Sequence, residues 1–412
     1  MIKVWLSVFM LASLAVLPAH AASFSMKRGL NLDMWVTWPG EPQWNDPGVI
    51  LPYPEWRKSL DEDGLKALKE DGFDFLRMPV DPAPFLSNNT DNVRERLYES
   101  VLESARLVNK AGLKVIVDLH LIHGGGARGP GMAEVMGDEA TFERYLDIVR
   151  RMGRTLSRED PAMLAFELMN EPVDGCEANA TQNPWPEKLK RLYAAARSSA
   201  TKLTLVLSGN CYSSAEGLAA LDPKDIPDDN VIWTFHSYQP FLLTHQGANW
   251  AGDFIRYVTG LPYPPYSVSR AELDVALEKI RGNIRANAPF LRRAGMLAYL
   301  DEQIATMDTE EKLLTVMDAP FKLADEWAKK NGIAPENIFL GEFGMIRQEY
   351  GNPFVIPAQS RAAYVKDMIA RAEAHGFPWS IWSYGGAFGV VDEFDMRKAE
   401  PDVLDAVRGL SR

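Results

Sequence analysis

Three observations predict a (β/α)8 barrel, an α/β fold of the TIM-barrel class, for this chain of 412 residues. Eight short apolar runs alternate with longer amphipathic segments, and no Gly/Ser- or Pro-rich linker divides them. The runs are also nearly continuous in apolarity and rich in β-branched residues, as parallel strands covered on both faces are. A typical domain of about 150 residues would allow two or three domains, but single barrels run to about 250 residues or more. Residues 22–412 are therefore expected to form one barrel domain.

The predicted strands are residues 29–32, 73–78, 113–119, 163–168, 203–207, 231–235, 338–340 and 379–382. Amphipathic stretches at 56–70, 93–111, 139–156, 187–200, 309–330 and 360–375 supply the intervening helices, and 403–410 a last short one. Gly112, Gly332 and Gly376 each stand where a helix must stop before the next strand begins. One unit departs from the pattern. Residues 239–308 separate the sixth strand from its helix and include the turn-rich Leu261-Pro-Tyr-Pro-Pro-Tyr266 and a helical stretch at 270–286. Structureless loops of more than about 15 residues are uncommon, so this segment reads as a partly helical insertion on the barrel rim.

The chain starts Met1-Ile2-Lys3, continues with an apolar run to about Leu17 and reaches Ala19-His20-Ala21. A basic start, a short apolar core and an A-x-A site describe a secretory signal peptide over residues 1–21, placing the protein outside the cell or in the periplasm. Later stretches never approach the roughly 18 apolar residues of a membrane span, so no membrane association is expected after cleavage. With 56 acidic against 44 basic residues, the net charge of −12 repels phosphate backbones, which argues against nucleic acid as a partner. The composition, 46% hydrophobic with two cysteines, excludes a disordered chain and a disulfide-stapled miniprotein.

In a barrel, chemistry sits at the C-terminal ends of the strands. Polar residues collect there: Arg77, Asp118 and His120, Asn170 and Glu171, Asn210, His236 and Tyr238, Glu342, and Ser383 after Trp382. Four of the six histidines, His120, His123, His236 and His245, lie at or just after a strand end. Glu171 and Glu342 follow strands four and seven, on opposite sides of an eight-stranded ring. Such a pair can flank a glycosidic bond, one carboxyl protonating the leaving oxygen and the other facing the anomeric carbon. Glu167 falls inside its strand and reads as a paired core carboxylate, and Asp118 as a support for His120. Asp118-x-His120-x2-His123 lacks further ligands for a metal site. His123-Gly-Gly-Gly126 is compatible with an esterase oxyanion loop, but no complete Gly-x-Ser-x-Gly nucleophile turn accompanies it. Cys176 and Cys211 follow adjacent strands, and in an exported protein they are expected to bond and pin the loop bearing Glu171.

The segments Arg28-Gly-Leu-Asn31, Leu76-Arg-Met-Pro79, Val117-Asp-Leu-His120, Leu168-Met-Asn-Glu-Pro172, His236-Ser-Tyr238, Gly341-Glu-Phe-Gly344 and Trp379-Ser-Ile-Trp382 resemble, in order, those of glycoside hydrolase family 5, the cellulase family of clan A. The resemblance implies a retaining double displacement with Glu342 as nucleophile and Glu171 as acid and then base. It implies that Arg77 and Tyr238 hydrogen-bond Glu342 and hold it as an anion, whereas Glu171 arrives protonated. Asn170 is similar to the residue that holds the sugar 2-hydroxyl, His120 and His236 to residues that bind hydroxyls or orient Glu171, and Trp382 to the platform under the −1 sugar. No cofactor or metal is implied, and the chain is expected to act as a monomer on a β-linked polysaccharide or oligosaccharide.

The expected activity is an endo-β-1,4-glucanase. Exo-β-glucosidase, β-1,3-glucanase, mannanase and transglycosylase activities, and more remotely a non-catalytic glycan-binding protein, are the alternatives. Trp35, Trp38, Trp44, Trp250, Tyr257, Tyr263 and Tyr266 are candidates either for sugar platforms on the rim or for packing under a loop, and the sequence does not choose between the two roles.

Overall fold

The computed structural model describes residues 24–33, 35–50, 60–121, 131–176 and 183–410. The signal-peptide reading, His123 and most of the glycine-rich stretch 124–131 lie outside them. Eight parallel strands close into a barrel in sequence order: β1 (Arg28–Asn31), β2 (Phe75–Val80), β3 (Lys114–Leu119), β4 (Leu164–Glu167), β5 (Thr204–Ser208), β6 (Val231–His236), β7 (Ile338–Phe343) and β8 (Trp379–Ile381). β8 returns to β1 through the pairs Arg28–Trp379 and Leu30–Ile381.

The outer helices include α1 (Glu62–Glu70), α2 (Arg94–Lys110), α3 (Glu139–Leu156), α4 (Trp185–Arg197), α5 (Ala215–Ala219), α6 (Arg270–Asn287), α7 (Arg293–Ala305), α8 (Glu310–Asn331), α9 (Ala358–His375) and α10 (Asp402–Leu410). Local chemistry sets their ends. The Asp61 carboxylate accepts from Gly64 N at 3.0 Å to start α1, and Ser269 with Glu272 forms a capping box on α6. Gly332 and Gly376 adopt left-handed φ values of 68° and 73° to end α8 and α9. The expected insertion carries α6 and also α7, which the sequence reading missed.

Alternation along the strands divides the interior into layers. Phe75, Ile116, Ala165, Val206, Ile232 and Phe339 point inward and form an apolar floor, closed from below by Phe24 and Met26. Lys27 N and Arg28 N donate to the Asp74 carboxylate, which fixes this entering segment. Two residues further along the strands the same inward face becomes polar, with Arg77, Asp118 and Glu167 fully buried. The outward faces pack against the helices in one large apolar shell. β7 extends beyond the expected 338–340, so Glu342 lies within a strand and is held by the sheet. Gly341 beside it is required by close approach: a Cβ there would lie 2.8 Å from His236 Nε2.

Candidate active site

The polar layer is organised by Arg77. Its Nη1 donates to Glu342 Oε1 at 2.6 Å and to Asn31 Oδ1 at 3.0 Å. Its Nε and Nη2 grip both oxygens of Glu167 at 2.7 and 2.9 Å, and Nη2 also reaches Asn170 Oδ1 at 2.8 Å and Asp118 Oδ2 at 2.9 Å. Burial opposes ionisation of so many carboxylates, while Arg77 favours it. Burial wins at Asp118, whose pKa rises to about 7, and at Glu167, which is also raised.

Asp118 shares a 2.8 Å hydrogen bond with His120 Nδ1, and His120 Nε2 faces Asn170 Nδ2 at 3.3 Å. The His120 ring stacks on Trp382 with centroids 5.4 Å apart. Arg77, Asp118, His120 and Asn170 thus form one closed polar ring below the mouth.

Above it stand the two glutamates. Tyr238 donates its hydroxyl to Glu342 Oε2 at 2.9 Å, so each oxygen of Glu342 has its own donor. His236 Nδ1 lies 2.9 Å from Glu171 Oε1 and 3.6 Å from Glu342 Oε2. One oxygen of each glutamate and a ring nitrogen of His236 fall within 4.8 Å of one another. Burial lowers the pKa of His236 to about 4 and also lowers that of His120, so both rings are neutral near pH 7. The three groups have the donor types for a cation, but one placed there would sit beside the guanidinium already bound to Glu342 and would compete with it.

The loops carrying this chemistry are strained and tied together. Glu171 has φ 41°, and Cys211, Tyr212 and Ser213 are three successive left-handed residues at φ 56°, 62° and 53°. Each costs about 1–2 kcal/mol in a side-chain-bearing residue. Three ties offset this. Cys176 and Cys211 are disulfide-bonded with Cα atoms 5.4 Å apart, Asp174 N donates to Asn210 Oδ1 at 3.1 Å, and Tyr212 N donates to Pro172 O at 3.3 Å.

A cavity of about 710 Å³ opens over Glu171, His236 and Glu342, and it is also lined by His120, Tyr238 and Trp382. Of the residues given catalytic or sugar-binding roles by the family resemblance, Glu171, Glu342, His120, His236, Tyr238 and Trp382 line this cavity, while Arg77 and Asn170 are buried and hydrogen-bonded to the site. Further residues support or line the site: the sequence marked His245 only as a histidine near a strand end, and it assigned no role to Asn31 or Tyr212. Asn31 buttresses Arg77 and donates to Gly341 O at 3.1 Å. His245 stacks on Phe241 at 3.9 Å and packs edge-on against Tyr238 at 5.0 Å. Tyr212, half exposed, stands at the mouth beside the disulfide. The motif Arg28-Gly-Leu-Asn31 and the polar His245 carried a signal; the left-handed turn at Tyr212 had none.

Of the seven rim aromatics, only Trp250 lines the cavity, and it is 58% exposed. Trp35, Trp38 and Trp44 are instead buried, because the loop after β1 folds back to bridge Val36 to Val80 and collapses onto the core. Tyr263 is buried and donates to Asp367 Oδ2 at 2.7 Å. Tyr257 is half-buried and reaches Asn287 O at 3.4 Å, while Tyr266 lies outside the cavity wall.

A parallel barrel with two closely spaced carboxylates at its mouth, each held by hydrogen bonds, is compatible with a carboxylate-pair glycosidase. The family model described as Cellulase (glycosyl hydrolase family 5) matches residues 36–388, and the chain belongs to that family; it is a glycoside hydrolase. It is 24% identical over 363 residues to endoglucanase C of Acetivibrio thermocellus, covering 87% of this chain and 91% of that protein. It is 30% identical over 199 residues to cellodextrinase A of Ruminococcus flavefaciens, covering 47% of this chain and 56% of that protein. Among solved structures, Thermotoga maritima Cel5A in complex with cellobiose superposes with a TM-score of 0.62 at 21% identity, covering 93% of this chain and 97% of that one. At that identity the likeness shows the fold. Among the described residues, no helix is long and apolar enough to cross a membrane.

Proposed function

We propose that the protein is a retaining endo-β-1,4-glucanase that acts on soluble β-glucan chains, with Glu342 as nucleophile and Glu171 as acid/base. The observation that carries this reading is the placement of the two carboxylates, with oxygens within 4.8 Å of each other. Retaining enzymes need about 5–5.5 Å, whereas inverting enzymes leave about 6.5–9.5 Å for a water.

In the first step Glu342 Oε attacks the anomeric carbon as the bond to the leaving oxygen breaks, and Glu171 delivers its proton to that oxygen. In the second step Glu171 takes a proton from water, whose oxygen attacks the anomeric carbon and releases Glu342. Neutral His236 suits this cycle: beside Glu171 at 2.9 Å, it can donate to the carboxylate or accept from the acid without itself changing charge. In this reading Asn170, held by Arg77, meets the 2-hydroxyl, and Trp382 carries the −1 sugar. Residues 22–412 act as one monomeric, exported domain without a cofactor.

The roles separate on substrate choice. Glu171→Ala should lose about 10²–10⁴-fold on cellooligosaccharides, which need a general acid, but far less on a dinitrophenyl cellobioside, whose leaving group needs no proton. Glu342→Ala should fail on both. Equal losses for Glu171→Ala on the two substrates would sink the assignment. The partial relative with cellodextrinase activity in its name favours a second reading, cleavage from chain ends. Early products from a cellohexaose digest distinguish them: mixed sizes for endo action, one repeated small product for exo.

A further inference from the structure

Away from the mouth, a cavity of about 360 Å³ opens between α2 and α3, under the turn that follows β2. Five guanidinium groups line it: Arg94 from α2, and Arg144, Arg150, Arg151 and Arg154 from α3. Among the described residues, Asp147 is the one carboxylate in the lining. The spacing of residues 144, 147, 151 and 154 puts them on one face of α3. In a chain of net charge −12, so concentrated a positive wall is a local reversal that the glycosidase mechanism does not use.

Neighbouring acids neutralise it only in part. Arg94 pairs with Asp91, Arg150 with Asp147 and Arg151 with Glu95. Pairs with this much solvent contact contribute little and exchange readily. Arg144 Nη2 donates to Thr141 Oγ1 at 3.1 Å, and Arg154 has no carboxylate partner among the described residues. Burial, then the like charges of Arg94 and Arg154, hold Arg151 below the usual guanidinium range.

The same wall contains two buried polar atoms, Tyr98 Oη and Arg94 Nε, that have no hydrogen-bond partner among the described residues. Tyr98 is 2% exposed, and the Arg151 guanidinium lies 5.0 Å from its ring centre. An unpaired buried hydroxyl costs about 1–3 kcal/mol, and it is the kind of defect that a ligand repairs.

We propose that this cavity binds a phosphate-class oxyanion, gripped by the guanidinium forks of Arg94, Arg151 and Arg154 and completed by the Tyr98 hydroxyl. Planar guanidinium forks match phosphate geometry in two-point contacts. The volume suits a small ion or a phosphorylated sugar. Nucleic acid is disfavoured because the wall's aromatics, Phe85 and Tyr98, are buried and offer no face for stacking.

The test is isothermal titration of the intact protein with inorganic phosphate, pyrophosphate and glucose 6-phosphate at fixed ionic strength, with chloride as control. Saturable binding of one oxyanion is expected, weakened at least about tenfold by Arg154→Glu and also weakened by Tyr98→Phe. Arg158→Ala, outside the cavity, should bind as wild type. Tighter binding of glucose 6-phosphate than of the inorganic ions assigns a sugar phosphate; the reverse assigns a free ion. Arg154 is exposed, so its variant should fold and keep wild-type hydrolysis of an aryl cellobioside. No saturable binding, or wild-type affinity in Arg154→Glu, overturns the proposal.

Discussion

Arg77 Nη1 meets Glu342 Oε1 at 2.6 Å, and the guanidinium is fully buried. The same cation holds Glu167 and Asp118 beneath the mouth, so the group that positions the nucleophile also supports the barrel's polar layer. Arg77→Lys retains one charge but loses the fork. It should lower kcat/KM by about 10²-fold or more and cost about 3–5 kcal/mol of stability, because buried carboxylates lose their partner. Glu167→Gln in that background should recover stability without recovering kcat. Urea unfolding and aryl cellobioside kinetics measure the two separately, and joint recovery would contradict this division.

The Cys176–Cys211 bond spans 35 residues and ties the loop carrying Glu171 to the strained turn at Tyr212. Reduction, or replacement of both cysteines by serine, should cost about 3–4 kcal/mol by loop entropy. It should also lower kcat more than it raises KM, since the acid/base loses its fixed position. Unchanged kcat in the double serine variant would restrict the bond to a stabilising role.

Asp33, after β1, accepts a hydrogen bond from Gly385 N at 3.0 Å, and burial raises its pKa to about 7. The folded state therefore binds its proton more tightly than the unfolded state. That contribution is complete below the ordinary carboxylate value and is lost as pH rises through 7. Asp33→Asn mimics the protonated form and retains the acceptor. Its Tm should match wild type near pH 4 and exceed it increasingly up to pH 8, by an amount equivalent to at most about 4 kcal/mol. Asp118 and His236 titrate in both proteins and cancel in the difference. A constant Tm gap would refute the argument.

Trp250 projects over the cavity from the insertion and packs against His245 at 5.4 Å. Trp250→Ala should raise KM for cellohexaose about fivefold, as expected for losing roughly 1 kcal/mol of stacking, and leave kcat on an aryl cellobioside unchanged. Equal effects on both substrates would place the tryptophan nearer the reacting bond than proposed.

The barrel was legible because buried parallel strands carry continuous apolar runs, and the mouth because Arg77, Glu171, His236 and Glu342 interrupt or end those runs with polar groups. Burial of tryptophans was not legible. Trp35, Trp38 and Trp44 carry the same letters as an exposed platform, and only the Val36–Val80 bridge decides their fate. Helix α7 escaped because its apolar residues Met296, Leu300 and Ile304 share the segment with exposed Leu291 and Tyr299, which blurs the period. The left-handed turn at Tyr212 is set by ties to another loop, and such long-range constraints leave no local pattern.

Phe24 and Met26 plug the barrel at the end opposite Glu171 and Glu342. An affinity tag, surface linker or fused module joined ahead of Phe24 therefore starts at the floor, with the full height of the barrel between it and the cleft. Immobilised through that end, the enzyme presents its open mouth to the liquid, and a bulky polymer reaches the glutamates without passing the support.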